Sequence, residues 1–360
     1  MSDIEKRIVL SAGGTGGHVF PAQALAHELI SQGYKVFIFS DGRGQQFKDP
    51  SIHMINIASS QLQGSFSKKL KGGLQLIRGV CTALYHLRRI KPHVVLGFGG
   101  YASFPTLIAS ALLRLPTIIH QADAYFGRTN RKLAFLVTRI ATSFPHVENI
   151  PISCQKKVNF TGLPVRSDIQ PAPYISSMEN DPFHLLVTGG SQGAKIFGDI
   201  IPSAVQLLPL SLQKRLYITQ QCRAESLEVT QTLYERTEAH VELMPFLDKM
   251  GERYKRAHFI IARAGASSVV ETALVGRPAL FIPYLHAMDN HQFYNAQEVV
   301  NVKGGWLTEE KNFTSDGLAA FLLKLITSHW KLMQAAVNIR TIAIPDAHQR
   351  LANLVTLIAD

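Results

Sequence analysis

The stretch SAGGTGGHVFP, from Ser11 to Pro21, follows an apolar run and precedes a segment that resembles a helix from Ala22 to Ser31. Its glycines allow the backbone to turn sharply and to come close to a ligand. The amides of a helix N-terminus favour an anion at such a turn. The stretch therefore predicts a strand that leads through a glycine turn into a helix, with an anion site at the junction.

Similar apolar runs alternate with amphipathic, helix-length stretches along most of the chain. The predicted strands are 7–12, 35–40, 93–98, 117–121, 139–144 and 158–161, followed by 184–188, 215–220, 241–244, 259–263 and 278–283. Apolar strands that alternate with helices indicate parallel sheets covered on both faces. A chain of 360 residues is long enough for two such domains, so we expect an α/β fold with two doubly wound, Rossmann-like domains.

The boundary between the two sets of strands is predicted from residues 163–182, which contain four prolines and no hydrophobic periodicity. This segment is interpreted as a linker between a first domain, 1–162, and a second domain, 183–344. A second glycine turn, GGSQGA at 189–194, follows the first strand of the second domain. The segment 345–360 is predicted to be a helix with Leu351, Leu354, Val355 and Ile358 on one face.

Composition narrows the class of protein. Lys and Arg number 37 against 26 Asp and Glu, and this excess favours an acidic partner such as nucleic acid, nucleotide or anionic lipid. The three cysteines are far apart in the sequence, which predicts neither a disulfide framework nor a zinc site. The N-terminal residues show no secretory signal. Val94 to Leu113 carries no formal charge, but its internal Gly-Gly and Pro favour a strand, a turn and a helix over a membrane span.

The glycine turn GGTGGH fits neither of the common nucleotide-binding fingerprints. No Gly-Lys-Ser/Thr follows it, and Val19 stands where G-x-G-x-x-G requires its third glycine. Asp41, at the end of the second predicted strand, is the remaining support for a dinucleotide-dependent oxidoreductase. His18 is interpreted either as a helix-start residue bonded to the loop or as a group that contacts phosphate or transfers a proton.

The stretch RAGASSVVETALVGRP, from Arg263 to Pro278, also has two interpretations. Ser268-x-x-Glu271 matches a capping box, in which Glu271 reaches back to the cap amide. Alternatively, Glu271 accepts hydrogen bonds from the two ribose hydroxyls of a nucleotide, while the amides of 266–268 face its diphosphate. The polar loop HAMDNHQFYNA at 286–296 follows a predicted strand and could bind the hydroxyls of a sugar.

A basic amphipathic segment covers residues 68–91. Leu70, Leu74, Ile77, Cys81 and Leu84 recur at helical spacing and are surrounded by Lys and Arg. The segment is either a surface helix with a solvated basic face or a patch that binds anionic lipid at a membrane surface. A nucleic-acid interface is not favoured, because the basic excess lies partly in this one helix.

Six ordered motifs together resemble the MurG family of peptidoglycan glycosyltransferases. They are GGTGGH, GGYxSxP at 99–105, GxPVR at 162–166, GGSQGA, RxGAxSxxE at 263–271 and DxHQxxNA at 289–296. The resemblance implies a GT-B fold whose two parallel-sheet domains face a deep cleft, with the helix at 345–360 packed back on the first domain. It implies inverting transfer of N-acetylglucosamine from UDP-N-acetylglucosamine to the 4-hydroxyl of the muramyl sugar of lipid I, giving lipid II.

The same resemblance assigns roles to individual residues. It makes His18 the candidate for catalytic assistance and implies neither metal nor cofactor. Asp123, which stands where the family has asparagine, is a second catalytic candidate by hypothesis, as a substitute for the family's glutamate. The implied donor-binding residues are Thr15, Gly16, Gly17, Asp123, Arg166, Ser191, Leu247, Ala266, Ser267, Ser268, Val269, Val270, Glu271, His291 and Gln292. Among them, the resemblance places Arg166 and Ser191 near the UDP phosphates, the Leu247 backbone at uracil and the amides of 266–270 at the departing diphosphate. The implied acceptor-binding residues are Gly13, Gly14, Tyr101 and Ser103. The implied location is the cytoplasmic face of the inner membrane, held peripherally through anionic phospholipid on 68–91.

Two departures from the family pattern affect these expectations. Where the family reads H-E-Q-N, this chain has His120-Gln-Ala-Asp123, so a base at the family's glutamate cannot be carried over to Gln121. Leu163 replaces the asparagine of G-N-P-V-R. These departures keep open the alternative of another UDP-sugar transferase of the same fold, with a different lipid or soluble acceptor.

Overall fold

The computed structural model describes residues 6–13, 16–41, 52–59, 66–190 and 193–359, and for 66–70 it describes the backbone alone. These residues form two compact units. The first comprises residues up to Arg166 together with the segment from Asp346 onward, and the second comprises Ser167–Pro345. The chain therefore passes into the second unit directly after Arg166, and residues 167–182, predicted as part of a linker, belong to the second unit.

The first unit is built on a seven-stranded parallel sheet in the order β3-β2-β1-β4-β5-β6-β7. Its strands are β1 Arg7–Ser11, β2 Lys35–Ser40, β3 His53–Asn56, β4 Val94–Gly97, β5 Thr117–Gln121, β6 Arg139–Thr142 and β7 Val158–Phe160. Its helices are α1 Gly16–Ser31, α2 Phe66–Ile90, α3 Gly100–Leu112, α4 Arg128–Leu133 and, from the end of the chain, α13 Ala347–Ala359.

Both faces of this sheet are buried, as its apolar strands require. On one face, Leu25 and Leu29 of α1 and Leu351 and Val355 of α13 form a core with β1 and β4. On the other face, residues of α2, α3 and α4 pack against the same strands. The helix predicted over 345–360 is thus observed as α13, and its apolar stripe packs in the first unit.

The second unit contains a six-stranded parallel sheet in the order β10-β9-β8-β11-β12-β13. The strands are β8 Phe183–Thr188, β9 Leu216–Gln221, β10 His240–Met244, β11 Phe259–Ala262, β12 Ala279–Phe281 and β13 Gly305–Leu307. The helices are α5 Lys195–Gln206, α6 Leu210–Gln213, α7 Leu227–Tyr234, α8 Met250–Arg256, α9 Ala266–Val275, α10 His291–Asn301, α11 Ser315–Ile326 and α12 His329–Ile339.

The uncharged segment Val94 to Leu113 folds as β4, a glycine turn and α3. The helix itself is therefore too short to cross a bilayer, which needs about 20 apolar residues. Among the residues that the structure describes, no helix combines the length and the apolar character of a membrane span.

Candidate active site

In the first unit, the candidate residues lie where three neighbouring strands end. Strands β1, β4 and β5 are adjacent in the sheet and end at Ser11, Gly97 and Gln121. In parallel sheets, ligands bind beyond the carboxyl ends of the strands. Gly14 and Thr15 of the first glycine turn lie outside the described residues. Gly16 and Gly17 open α1, and a Cβ on Gly13 would lie only 2.7 Å from Asp41 Oδ1.

The turn that follows β4 approaches His18. Gly99 and Gly100 have φ values of 88° and 70°, a conformation that favours glycine. A Cβ on Gly100 would lie 3.5 Å from His18 Nε2. The helix predicted from Ala22 to Ser31 begins six residues earlier, at Gly16, so His18 is the third residue of α1. The imidazole of His18 and the start of α3 thus lie side by side at this end of the sheet.

The prediction that Ser103 binds the acceptor is not supported by its surroundings. Ser103 has no exposed surface, and its Oγ lies 2.8 Å from Ser11 O and 2.9 Å from Gly99 O. Its hydroxyl can donate to one carbonyl at a time, and both of these belong to the framework of the site. Ser103 therefore fastens α3 to β1, whereas Tyr101, also predicted for the acceptor, is half-buried and retains an exposed surface.

His120, the penultimate residue of β5, is a buried neutral group beside these loops. It is 1% exposed, and its Nε2 lies 3.4 Å from Gly162 O and 3.4 Å from Ser143 Oγ. Burial lowers the pKa of His120 to about 4; the Gly162 carbonyl raises this pKa, and the nearby His18 lowers it. At neutral pH, His120 is therefore uncharged.

Gln121, which stands at the family's glutamate, uses its amide to hold the loop after β5. Its Nε2 donates to the carbonyls of Asp123 and Tyr125, at 3.0 and 2.8 Å. Its Oε1 accepts from Asn130 Nδ2 at 2.8 Å. The carbonyls of Asp123 and Tyr125 are acceptors, so a carboxylate, which only accepts, can replace neither of these two bonds. Asp123 is half-buried on this loop.

Arg166, predicted near the UDP phosphates, lies at the end of the first unit. Its guanidinium carbon is 5.1 Å from the ring centre of Phe20 in α1. Stacking on an aromatic face orients a guanidinium while leaving its charge intact. The structure therefore brings Arg166 to the helix that also carries His18.

In the second unit, the glycine turn after β8 requires its glycines. A Cβ on Gly189 would lie 2.2 Å from Ala194 N, and Gly190 and Gly193 have φ values of 77° and 67°. The turn is also held from β9, because Gln221 Oε1 accepts from Gly189 N at 3.1 Å. Ser191, predicted to bind donor phosphate, lies outside the described residues.

The capping-box interpretation of Ser268 and Glu271 is wrong. Helix α9 begins at Ala266 with Gly265 as its extended N-cap, so Ser268 lies inside the first turn and is not the cap. Glu271 lies further along the helix, where it is 7% exposed, and its Oε2 accepts a hydrogen bond from Tyr254 OH at 3.2 Å. The Glu271 carboxylate therefore does not form the capping-box hydrogen bond to the cap amide.

The start of α9 also limits which amides can bind an anion. The Val269 amide already donates to Gly265 O at 3.1 Å, so the intrahelical ladder begins there. The amides of Ala266, Ser267 and Ser268 precede this ladder and point along the helix axis. Val269 and Val270 lie within this ladder, and their contact with the donor stays a prediction.

The polar loop between β12 and α10 is fixed by its own side chains. Gln292 Oε1 accepts from the Tyr284 amide at 2.9 Å, and His291 Nδ1 lies 2.8 Å from Met288 O. Asn295, fully buried in α10, donates to Ala264 O at 3.0 Å, next to the start of α9. These bonds connect the predicted sugar-binding residues to the predicted diphosphate-binding turn.

An ion pair between buried Arg263 and half-buried Glu310 was not predicted from the sequence. Arg263 Nη1 donates to Glu310 Oε2 at 2.7 Å and to the Ile282 and Pro283 carbonyls at 3.2 Å. Glu310 Oε2 also accepts from the Leu285 amide at 3.1 Å. Burial raises the pKa of Glu310, but Arg263 and this amide outweigh burial and hold it below its usual value.

Leu247 follows β10, as predicted for the residue whose backbone meets uracil. Its side chain is 5% exposed, whereas the preceding Phe246 is 65% exposed. Within the described ranges, no three His, Cys, Asp or Glu side chains are grouped so that they could hold a metal ion.

Comparison with known proteins gives matches over most of the chain. Residues 8–142 match the glycosyltransferase family 28 N-terminal domain, and residues 184–351 match the C-terminal domain of that family. A curated relative from Rhodospirillum centenum is 42% identical over 97% of this chain and 93% of its own. A second curated relative, from Paramagnetospirillum magneticum, is 43% identical over 99% of this chain and 97% of its own.

Both relatives carry the name UDP-N-acetylglucosamine--N-acetylmuramyl-(pentapeptide) pyrophosphoryl-undecaprenol N-acetylglucosamine transferase. Among solved structures, Acinetobacter baumannii MurG matches with a TM-score of 0.80 at 28% identity, covering 98% of this chain and 99% of its own. The predicted GT-B fold is therefore confirmed.

Proposed function

The chain belongs to glycosyltransferase family 28, in the MurG family, and from this premise we propose that it transfers N-acetylglucosamine from UDP-N-acetylglucosamine to lipid I. The acceptor group is the 4-hydroxyl of the muramyl sugar, the anomeric carbon is inverted, and the product is lipid II. The observation that carries the proposal is about 40% identity to transferases of this name over nearly the whole of both chains.

The second unit would bind the donor. The free amides at the start of α9 and its helix dipole favour a diphosphate and stabilise UDP as it leaves. Glu271 would accept from the ribose hydroxyls, and the Leu247 backbone would meet uracil. Gln292 and His291 would contact the N-acetylglucosamine, and Ser191 the phosphates. Arg166, the last residue of the first unit before Ser167, stays a predicted phosphate contact. The Arg263–Glu310 pair supports this proposal because it fixes the loop that carries Tyr284, the partner of Gln292.

The first unit would bind the acceptor and assist the attack of its hydroxyl. An inverting displacement needs a base for that hydroxyl and stabilisation of the leaving diphosphate. His18 is the candidate for this assistance, and its position beside the glycine turn at Gly100 supports it. Asp123 is the second candidate, since Gln121 is an amide that cannot act as a base. Tyr101 and the turn around Gly13 would face the acceptor.

Helix α2 would place the enzyme on the cytoplasmic face of the inner membrane. Leu74 and Ile77 are each 62% exposed and Tyr85 is 56% exposed. Arg78, Arg88 and Arg89 are also exposed on this helix. Apolar side chains flanked by cations bind the interface of anionic lipid bilayers, which supports a peripheral contact.

The test is transfer of labelled N-acetylglucosamine from its UDP donor to a short-chain lipid I analogue. UDP-glucose and a reaction without acceptor serve as controls. We expect transfer only with the correct donor and acceptor. Donor binding without transfer to lipid I, together with transfer to another acceptor, would instead establish the alternative of a different UDP-sugar transferase.

A matched pair of variants locates the donor site. Glu271→Gln keeps the size of the side chain but accepts hydrogen bonds through one oxygen only, so we expect the KM for UDP-N-acetylglucosamine to rise about tenfold or more. Glu235→Gln, at an exposed position of the same unit, should leave KM unchanged. An unchanged KM in Glu271→Gln would show that this carboxylate does not bind the donor.

A further inference from the structure

A buried tyrosine hydroxyl faces the carboxylate of Glu271. Tyr254, on α8, is 1% exposed, and its OH donates to Glu271 Oε2 at 3.2 Å. Glu271, on α9, is 7% exposed. A phenol and a carboxylate that are both withdrawn from water are stable only when they are hydrogen-bonded. The bond between them therefore fixes the direction in which the Glu271 side chain extends.

The backbone that carries the phenol is fixed as well. The Arg277 side chain is 3% exposed, and its Nε donates to Tyr254 O at 3.1 Å. Its other guanidinium nitrogens donate to Lys255 O at 2.7 Å and to Val275 O at 3.0 Å. Arg277 thus ties the end of α8 to the end of α9. As a result, Tyr254 and Glu271 are held on two helices whose separation is set by a third side chain.

The Tyr254 hydroxyl is not needed to fill space. A phenylalanine ring would occupy the same volume and would avoid the desolvation of a hydroxyl. What the hydroxyl adds is one directed hydrogen bond to Oε2. An ionised carboxylate offers about four acceptor sites, so a bond from Tyr254 is compatible with bonds from ligand hydroxyls. Because only 7% of Glu271 is exposed, a ligand can meet little of this residue, and the orientation of its carboxylate is then decisive.

We propose that Tyr254 is a positioning residue that orients the Glu271 carboxylate towards the ribose hydroxyls of the uridine nucleotide. The inference rests on the proposed function, because the ligand of Glu271 is taken from it. Tyr254 acts through Glu271 and does not itself touch the substrate. Its contribution therefore requires ribose hydroxyls on the ligand, and this requirement distinguishes positioning from a general role in packing.

The test compares two nucleotides in two variants. Dissociation constants for UDP and for 2′,3′-dideoxy-UDP are measured by calorimetry with the wild-type protein and with Tyr254→Phe. We expect the wild type to bind UDP about tenfold or more tightly than the dideoxy nucleotide. In Tyr254→Phe, UDP should bind about fivefold to tenfold more weakly, with dideoxy-UDP binding unchanged, so that the ratio of the two constants falls towards one.

Tyr234→Phe is the matched control. Tyr234 is another buried tyrosine of the same unit, and its OH donates to Gln220 Oε1 at 2.6 Å. Its loss should lower stability without changing the ratio of the two dissociation constants. Because both nucleotides are measured on the same preparation, the ratio is insensitive to a reduced folded fraction in either variant.

The outcomes separate the inference from the function on which it rests. If the wild type binds no UDP, the proposed function fails and the inference fails with it. If the wild type prefers UDP to the dideoxy nucleotide and Tyr254→Phe keeps the same ratio, only the positioning role is overturned. In steady-state transfer, the positioning role predicts a higher donor KM with kcat nearly unchanged, since uniform binding is lost.

Discussion

The two units share one architecture but hold their candidate loops by different means. In the first unit, the loop after β5 is held by the neutral amides of Gln121 and Asn130. In the second, the loop after β12 is held by the Arg263–Glu310 ion pair. A buried neutral hydrogen bond is lost at moderate cost, whereas removing Arg263 leaves the charge of half-buried Glu310 unpaired. The second unit should therefore be the more sensitive to loss of a single side chain.

The largest expected effect is that of Arg263→Ala. The variant leaves Glu310 partly buried without its cation and removes bonds to two carbonyls, so the second unit should lose about 3 kcal/mol of stability. Urea unfolding followed by circular dichroism measures this loss. Arg223→Ala is the control, because the Arg223 side chain is 38% exposed and lies 3.8 Å from Glu225, a surface pair worth at most about 1 kcal/mol. Similar losses in both variants would contradict the contrast between the units.

Acidification should destabilise the protein through two histidines, buried His120 in the first unit and half-buried His258 in the second. Burial lowers the pKa of His120 to about 4. Burial, together with the charges of His184 and Arg277, also lowers the pKa of His258 to about 4, although Asp181 raises it. Unfolding restores a pKa of about 6.5, so stability is complete above that pH and falls as the pH drops towards 4. For His120 the loss is on the order of 3 kcal/mol, and it is smaller for the less buried His258.

Urea midpoints of His120→Asn and His258→Asn between pH 7 and pH 4 measure these contributions. Each substitution should flatten the pH dependence, and His120→Asn should do so more strongly. An equal slope in the wild type and in His120→Asn would show that the imidazole is already accessible to protons in the folded state.

Gln121→Glu tests the neutral network of the first unit directly. A carboxylate at this position would face the carbonyl oxygens of Asp123 and Tyr125, and we expect a loss of about 2 kcal/mol, together with slower transfer. Gln155→Glu, at an exposed site of the same unit, should change stability by less than about 0.5 kcal/mol. Thermal unfolding measures both. A fully stable Gln121→Glu variant would mean that the loop can be held without the amide.

Ser103→Ala should have the smallest effect. Loss of one buried hydroxyl that bonds to backbone should lower stability by about 1 kcal/mol. Because Ser103 has no exposed surface, the KM for the lipid acceptor should not change, whereas Tyr101→Ala should raise it. An increased acceptor KM in Ser103→Ala would restore its predicted role as a substrate contact.

The sequence predicted the central strands well and missed two at the sheet edges. Strands β2 and β5 have the predicted bounds, because both are apolar runs with a buried interior. The missed strands, β3 and β13, end the two sheets, and their residues are mostly exposed or half-buried. An edge strand needs no continuous apolar run, so its pattern resembles that of a loop.

In the candidate site, too, local features were predictable and contacts between distant residues were not. Turns such as Gly99-Gly100 were predictable, since glycine spacing is a local feature, whereas the capping-box pattern put the cap of α9 at Ser268 instead of Gly265. The bonds between Arg263 and Glu310 and between Tyr254 and Glu271 join residues that are distant in the chain. No local spacing encodes such pairs, and the misassigned capping box shows how a local pattern can hide a tertiary partner.

The position of α13 has a consequence for synthesis on the ribosome. Leu351 and Val355 complete a core of the first unit with α1, yet all of Ser167–Pro345 is translated between the two halves of that core. Domains generally fold as units during synthesis, with the N-terminal one first. Here the core of the first unit stays incomplete, with an uncovered apolar face on α1, until α13 leaves the ribosome. The nascent chain thus exposes this apolar face throughout translation of the second unit.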